Sequence, residues 1–190
     1  MSTTRTIIDT IEDLRSQDSS ITVGVSGFGG SGKSTLTRQL TASIEGSARI
    51  RGDDFLDPDR SHQRSSDWDG VGRIRLREEV LNPFRQGQPG AFRRFDWGTR
   101  QLSAPEAIPT AQVLIVDAIG LFHPDLDGAF DLTIWVDLDL PVATARGKAR
   151  DHQLGRSHDR LWDEVWVPNE RDFFARFNPR PTADCLFVPA

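Results

Sequence analysis

The most constraining stretch of the chain is ITVGVSGFGGSGKSTLTRQL, residues 21–40. A β-branched apolar run from Ile21 to Ser26 leads straight into a loop rich in glycine, and beyond it Leu36, Leu40 and Ile44 recur at helical spacing until Gly46. Strand, glycine loop and helix follow one another with no spacer. That order aims backbone N–H groups of the loop at the positive end of a helix, where an anion is held. The spacing of Gly27, Gly32, Lys33 and Ser34 fits G-x-x-x-x-G-K-[ST], in which the amides cradle phosphate, the lysine reaches the terminal phosphates and the hydroxyl ligates Mg²⁺. The expected ATP contacts are Gly27, Phe28, Gly29, Gly30, Ser31, Gly32, Lys33, Ser34 and Thr35.

Lysine usage agrees. The chain has two lysines, Lys33 and Lys148, beside twenty-one arginines. A compact ammonium in the loop of a chain that otherwise prefers guanidinium marks a position needing a point charge.

The rest of the chain supplies a sheet for this unit. SARIRG reads as a strand with Asp53 and Asp54 just past its end; VLIV, closed by Asp117, DLTIWVDLD and DCLFV read as three more. Helical patterns lie between them, in RIRLREEVLNPF, PVATARGKARDHQLGR and WDEVWVPNERDFFARF. Strands alternating with helices imply the α/β class: a P-loop NTPase fold with three layers, α/β/α, around a mostly parallel sheet of about five strands. Ligands of such sheets bind beyond the carboxyl ends of the strands, where Ser26, Asp53 and Asp117 fall.

At 190 residues, one domain is expected over 1–190. The proline-broken, arginine-rich stretch 57–110 is read as an excursion that binds the acceptor, and about 146–160 as a lid. A net charge of −5 argues against a nucleic-acid partner. The single Cys185 permits no internal disulfide, and neither a signal-like core nor a membrane-spanning run is visible, so a cytoplasmic protein without a membrane partner is expected. The four histidines and one cysteine form no zinc-spaced set. The aromatic residues Trp162, Trp166, Phe173, Phe174 and Phe177 suit a helix packed on the sheet or at a subunit contact, which leaves a homodimer open.

Phosphate binding alone does not fix the chemistry. Asp117 is a candidate to reach Mg²⁺, directly or through water, or it caps the next turn. No asparagine precedes a lysine, so the guanine signature of GTPases is absent. An ATP-dependent switch without catalysis remains an alternative.

The segments GFGGSGKST, RGDDF, FDW, VLIVDAIGLF and VDLDLPVATARGKARD, spread over most of the chain, together resemble the uridine kinase and phosphoribulokinase family, which includes the nicotinamide riboside kinases. The resemblance implies a kinase that uses ATP and Mg²⁺ and passes the γ-phosphate to a hydroxyl of a small, nucleoside-like acceptor; pantothenate or a sugar is the alternative acceptor. It implies Asp53 as the base for that hydroxyl, beside Lys33 as a catalytic charge, with Ser34 and Asp117 at the metal. Asp69, Phe95, Asp96 and Trp97 lie in acceptor-side stretches, the acids as candidates for sugar hydroxyls and the aromatics as an apolar wall. Arg146 and Arg150, four apart, are candidates to neutralise the transferring phosphoryl group. Related lids often carry adjacent arginines, but here Gly147 follows Arg146.

Overall fold

The computed structural model describes residues 1–17, 20–57, 59–96, 98–99 and 101–189. Five parallel strands form the central sheet: β1 (Ile21–Ser26), β2 (Ser47–Arg51), β3 (Val113–Asp117), β4 (Leu132–Val136) and β5 (Cys185–Phe187), in the spatial order β2-β3-β1-β4-β5. β1 and β3 are buried along their whole length, as strands covered on both faces must be. Register aligns Val25 of β1 with Asp117 of β3, and Asp117 with Arg51 of β2. The carboxyl ends of these three strands therefore form one edge.

One face of the sheet is covered by α1 (Thr4–Arg15) and α2 (Lys33–Ser43), whose Ile7, Ile11, Leu36 and Leu40 pack on Val23, Val25 and Ile115. The opposite face packs Ile50, Leu114 and Val116 against Leu76, Val80 and Leu81. Those residues belong to α3 (73–85), which passes from an α turn at Arg73–Leu76 through a π turn at Arg77–Leu81 to Asn82–Arg85. α4 (Leu140–Gln153) follows β4, and α5 (159–177) runs through a π turn at Trp162–Trp166 into Val167–Phe177. This is the three-layer α/β/α arrangement read from the sequence.

The stretch 57–110 is less bare than its composition suggests. Besides α3 it holds two short antiparallel pairings, Ala91–Phe92 with Glu106–Ala107 and Phe95–Asp96 with Gln101–Leu102. Phe92 and Phe95 turn inward, and Phe92 stacks on Phe55 with ring centroids 5.5 Å apart. Among the described residues no helix is long and apolar enough to cross a membrane.

Candidate active site

The loop between β1 and α2 is shaped by glycine. Gly27, Gly30 and Gly32 have φ of +149°, +83° and +104°, which disfavours any residue with a Cβ. Close packing adds a second demand: a Cβ at Gly30 would lie 2.7 Å from the Gly147 backbone nitrogen in α4. The loop is thus seated directly on another helix. Its Phe28 ring is the anchor, edge-on to Trp135 at 5.4 Å and tilted against Phe174 at 5.3 Å.

At the start of α2, with Gly32 as the N-cap and no side chain capping it, the first-turn amides have no carbonyl of the helix itself to bond, which makes them donors suited to an anion. The Lys33 side chain folds back to donate to the carbonyls of Gly27 and Phe28, both at 2.8 Å. Burial lowers its pKa, opposed by the nearby charges of Glu170, Asp53 and Asp117. The buried Ser31 hydroxyl has no partner among the described residues. Thr35 is exposed and its amide bonds Gly32 O at 2.9 Å. A polyphosphate chain suits this set of amides and one ammonium group.

Ser34 Oγ donates to Asp117 Oδ2 at 2.7 Å. A hydroxyl beside a buried carboxylate at a strand end is a hard oxygen set that fits Mg²⁺. Both Asp117 oxygens are also held by Arg49, Nε to Oδ1 at 2.6 Å and Nη2 to Oδ2 at 2.8 Å. Arg49 was not singled out from the sequence. Its signal was present, since the alternation in SARIR places Arg49 on the face opposite Ile50, in step with Ile115 and Asp117.

Asp53 and Asp54 begin a single turn, Gly52–Phe55, after β2. Gly52 is buried against Ala118, which draws this turn to the end of β3. Asp53 is exposed, 3.7 Å from Arg51, and acts electrostatically on Lys33. Asp54 points inward, 3.9 Å from Arg94, and burial pushes its carboxyl up. The Phe95–Asp96 strand packs on the same turn. Phe95 is buried there, while Asp96 Oδ1 accepts the amides of Gly98 (2.7 Å) and Thr99 (3.1 Å). Asp69 is exposed in a separate turn, where it acts on Arg73. Trp97 lies outside the described residues.

In α4, Arg150 acts electrostatically on Lys33 and bonds Asp151, whereas the exposed Arg146 makes no side-chain hydrogen bond or ion pair with a described residue. Asp151 is a buried hub, accepting from Trp162 Nε1 at 3.0 Å and sharing a 3.3 Å contact with His158 Nδ1. Burial pushes its carboxyl up, but these partners and Arg150 win and hold it below the ordinary range. Gly147 is where it is because Trp162 fills the space: a Cβ there would meet the indole at 2.5 Å. The structure therefore brings Lys33, Ser34, Asp117, Asp53 and Arg150 to one sheet edge, puts Asp69 in a separate turn, and leaves Arg146 exposed on α4 beside Gly147, which packs on the loop. A groove of about 250 Å³ between Leu121–Phe130 and Phe177 is lined by none of these residues.

A second group unanticipated from sequence is Glu170 of α5, buried against the loop with Oε1 2.6 Å from the Gly29 amide. An acid on the apolar face of an aromatic helix, one turn before Phe173 and Phe174, was the available signal.

With this geometry in place, comparison with known proteins is informative. The model of the phosphoribulokinase/uridine kinase family matches residues 22–184. A uridine kinase of Deinococcus deserti is 27% identical over 145 residues, covering 69% of this chain and 68% of that protein. A nicotinamide riboside kinase of Schizosaccharomyces pombe is 30% identical over 153 residues, covering 68% of this chain and 66% of that protein. The solved structure of a candidate fructose transport system kinase from Silicibacter sp. TM1040 superposes with a TM-score of 0.79 at 20% identity, over 98% of this chain and all of that one, which attests to the fold. With a parallel five-stranded sheet, a phosphate loop after its central strand and a family match over most of its length, the chain belongs to the phosphoribulokinase/uridine kinase family.

Proposed function

We propose that the protein is an ATP-dependent kinase that transfers the γ-phosphate to an alcohol of a small, nucleoside-like acceptor. The observation that carries this reading is the meeting of Asp53 and Lys33: an exposed carboxylate stands at the same sheet edge as the buried ammonium of the phosphate loop, close enough to act on it. A switch protein needs no such acid. Asp53 has the access that an incoming hydroxyl requires, while Asp54, turned inward, shapes the floor.

The loop amides and Lys33 hold the phosphate tail, and Asp53 accepts the proton of the acceptor hydroxyl as it attacks. Ser34 and Asp117 would hold Mg²⁺, which would neutralise charge on the phosphates. Arg150, and Arg146 if the end of α4 and the 154–158 connection close as a lid, stabilise the transferring group. Positioning and electrostatics do most of the work. Phe95 and Asp96, packed on the Asp53 turn, are assigned to the acceptor together with Asp69 and Trp97.

The two curated relatives act on nucleosides by name, which supports a nucleoside-like acceptor. Gly147 supports the alternative of a sugar or pantothenate, because Trp162 excludes any side chain there and with it a second guanidinium beside Arg146. ADP formation with a panel of nucleosides, sugars and pantothenate tests both. Turnover should depend on one acceptor class, and Asp53→Asn should lower kcat at least about a hundredfold with ATP affinity retained. Acceptor-independent ATP hydrolysis, or an Asp53→Asn enzyme as fast as the parent, rejects the kinase assignment.

A further inference from the structure

The Phe28–Gly29 peptide is held at both ends. Its N–H donates to Glu170 Oε1 at 2.6 Å, and its C=O accepts from Lys33 Nζ at 2.8 Å. One peptide group thus links a buried carboxyl on α5 to the ammonium that meets phosphate. No other side chain in the loop provides this link, because residue 29 is glycine and a Cβ there would lie 2.9 Å from both Glu170 Oε1 and the Trp162 ring. Glu170 itself is 4% exposed, and its Oε2 has no partner among the described residues.

Glu170 is one of the residues lining a small cavity of about 10 Å³ beside the loop. Trp68 borders the same cavity, and its Nε1 is also buried without a partner among the described residues. Trp68 carries a φ of +54°, a strained value for a bulky residue that is retained only where its surroundings enforce it. Trp68 from the 57–110 excursion and Glu170 from α5, each with a buried polar atom that no described residue partners, thus line one small space next to the phosphate loop.

We propose that Glu170 is a positioning residue for ATP: it fixes the orientation of the Phe28–Gly29 peptide and, through it, of Lys33. The inference rests on the kinase reading for its ligand, though not for its geometry.

Burial pushes the Glu170 carboxyl up to about 7, against the pull of Lys33 and the Gly29 amide. The surroundings name its controls. α2 contributes Lys33, the charged group that acts on it; the loop contributes the Gly29 amide; Trp162, Trp135, Trp68 and Phe173 are uncharged; and Arg150 of α4 acts on Lys33. A triphosphate in the loop adds negative charge and draws Lys33 off the Phe28 carbonyl. Both changes raise the proton affinity of Glu170, so ATP binding takes up protons and tightens as pH falls.

The test is ATP binding by titration calorimetry in buffers of different ionisation enthalpy, with wild type, Glu170→Gln and Glu170→Ala. A rise of one pKa unit on binding corresponds to uptake of about 0.4 proton at pH 7, and to affinity about fivefold tighter at pH 6 than at pH 8, relative to Glu170→Gln. The ligand's own proton changes cancel in that difference. Glu170→Gln keeps an acceptor for Gly29 and should bind ATP within about threefold of wild type, whereas Glu170→Ala should bind about tenfold more weakly. In wild type alone, ¹³C-labelled glutamate should show one of the seven carboxyls titrating near neutral pH and moving upward with ATP, a readout that needs no variant to fold. Equal proton uptake by wild type and Glu170→Gln, unchanged affinity in Glu170→Ala, or no glutamate titrating near neutrality overturns the proposal and leaves the kinase reading standing. Absence of acceptor-dependent turnover alongside the expected proton linkage rejects the kinase reading alone, and no ATP binding by wild type rejects both.

Discussion

At the residue scale, the site is governed by how each carboxylate is compensated. Asp53 is left to solvent beside Arg51, Asp54 is drawn inward toward Arg94, and Asp117 is gripped by Arg49 and Ser34. Arg49 is 18% exposed in its side chain and Asp117 5%, so this pair lies where removing one partner leaves a charge that water reaches poorly. Arg49→Met should destabilise the metal-free protein by about 1–3 kcal/mol, less than a fully buried pair because Arg49 retains some access to solvent. It also frees both oxygens of Asp117 toward the Ser34 side. Mg²⁺ added to the variant should therefore raise its melting temperature more than it raises that of wild type, and chelation should reverse the gain. Equal Mg²⁺ responses in thermal denaturation would show that the guanidinium and the metal do not share Asp117.

At the element scale, the loop is built as much by its neighbours as by its own glycines. α4 approaches so closely that Gly30 and Gly147 meet backbone to backbone, and Trp162 from the π turn of α5 covers Gly147 and Gly29. A π turn carries one extra residue and rotates the helix face, which lets α5 present Trp162 and, two turns on, Glu170 to the same loop. Gly147→Ala follows from this geometry with an unusual sign. Alanine in a helix interior is favoured over glycine by about 1 kcal/mol, yet here the added methyl is driven into the indole, and overpacking of that kind destabilises by about 1–3 kcal/mol. Urea denaturation should show a net loss of stability, and ATP affinity should fall with it because the loop is seated on this contact. Much of this scale was legible in the sequence. The five strands and the helices after β1, β2, β4 and before β5 follow from hydrophobic period, and the phosphate loop from the spacing of its glycines and Lys33. Arg49 and Glu170 were not legible as functional, because their roles arise from neighbours 68 and 141 positions away in the chain. The paired strands at 91–107 escaped notice for a different reason: each is two residues long, too short for a period to show. Gly147 read as a missing arginine; the indole that occupies its space comes from another helix.

At the scale of the whole molecule, the buried acid beneath the loop ties folding to pH. Glu170 titrates at about 7 in the folded protein, where burial is the main cause, and near the ordinary glutamate value of about 4.3 once unfolded. A carboxyl whose folded pKa is raised binds its proton more tightly in the native state. Its contribution to stability is therefore complete below the unfolded value and is lost as pH rises through the folded one. Asp67, Asp137 and Asp151 are shifted the other way by hydrogen bonds, and their contribution is lost only in acid, as pH falls through their lowered values. Asp54, raised by burial, and His123, lowered by it, also act between about pH 5 and pH 8, but equally in both proteins, so the difference between wild type and Glu170→Gln over that window isolates Glu170. Over that window wild type should lose on the order of 2 kcal/mol relative to Glu170→Gln, measured by chemical denaturation at matched ionic strength. Saturating ATP should shift the loss to higher pH, because the nucleotide raises the proton affinity of the same carboxyl. Parallel pH profiles for the two proteins would mean that the native state holds Glu170 ionised, with Lys33 close enough to offset its burial.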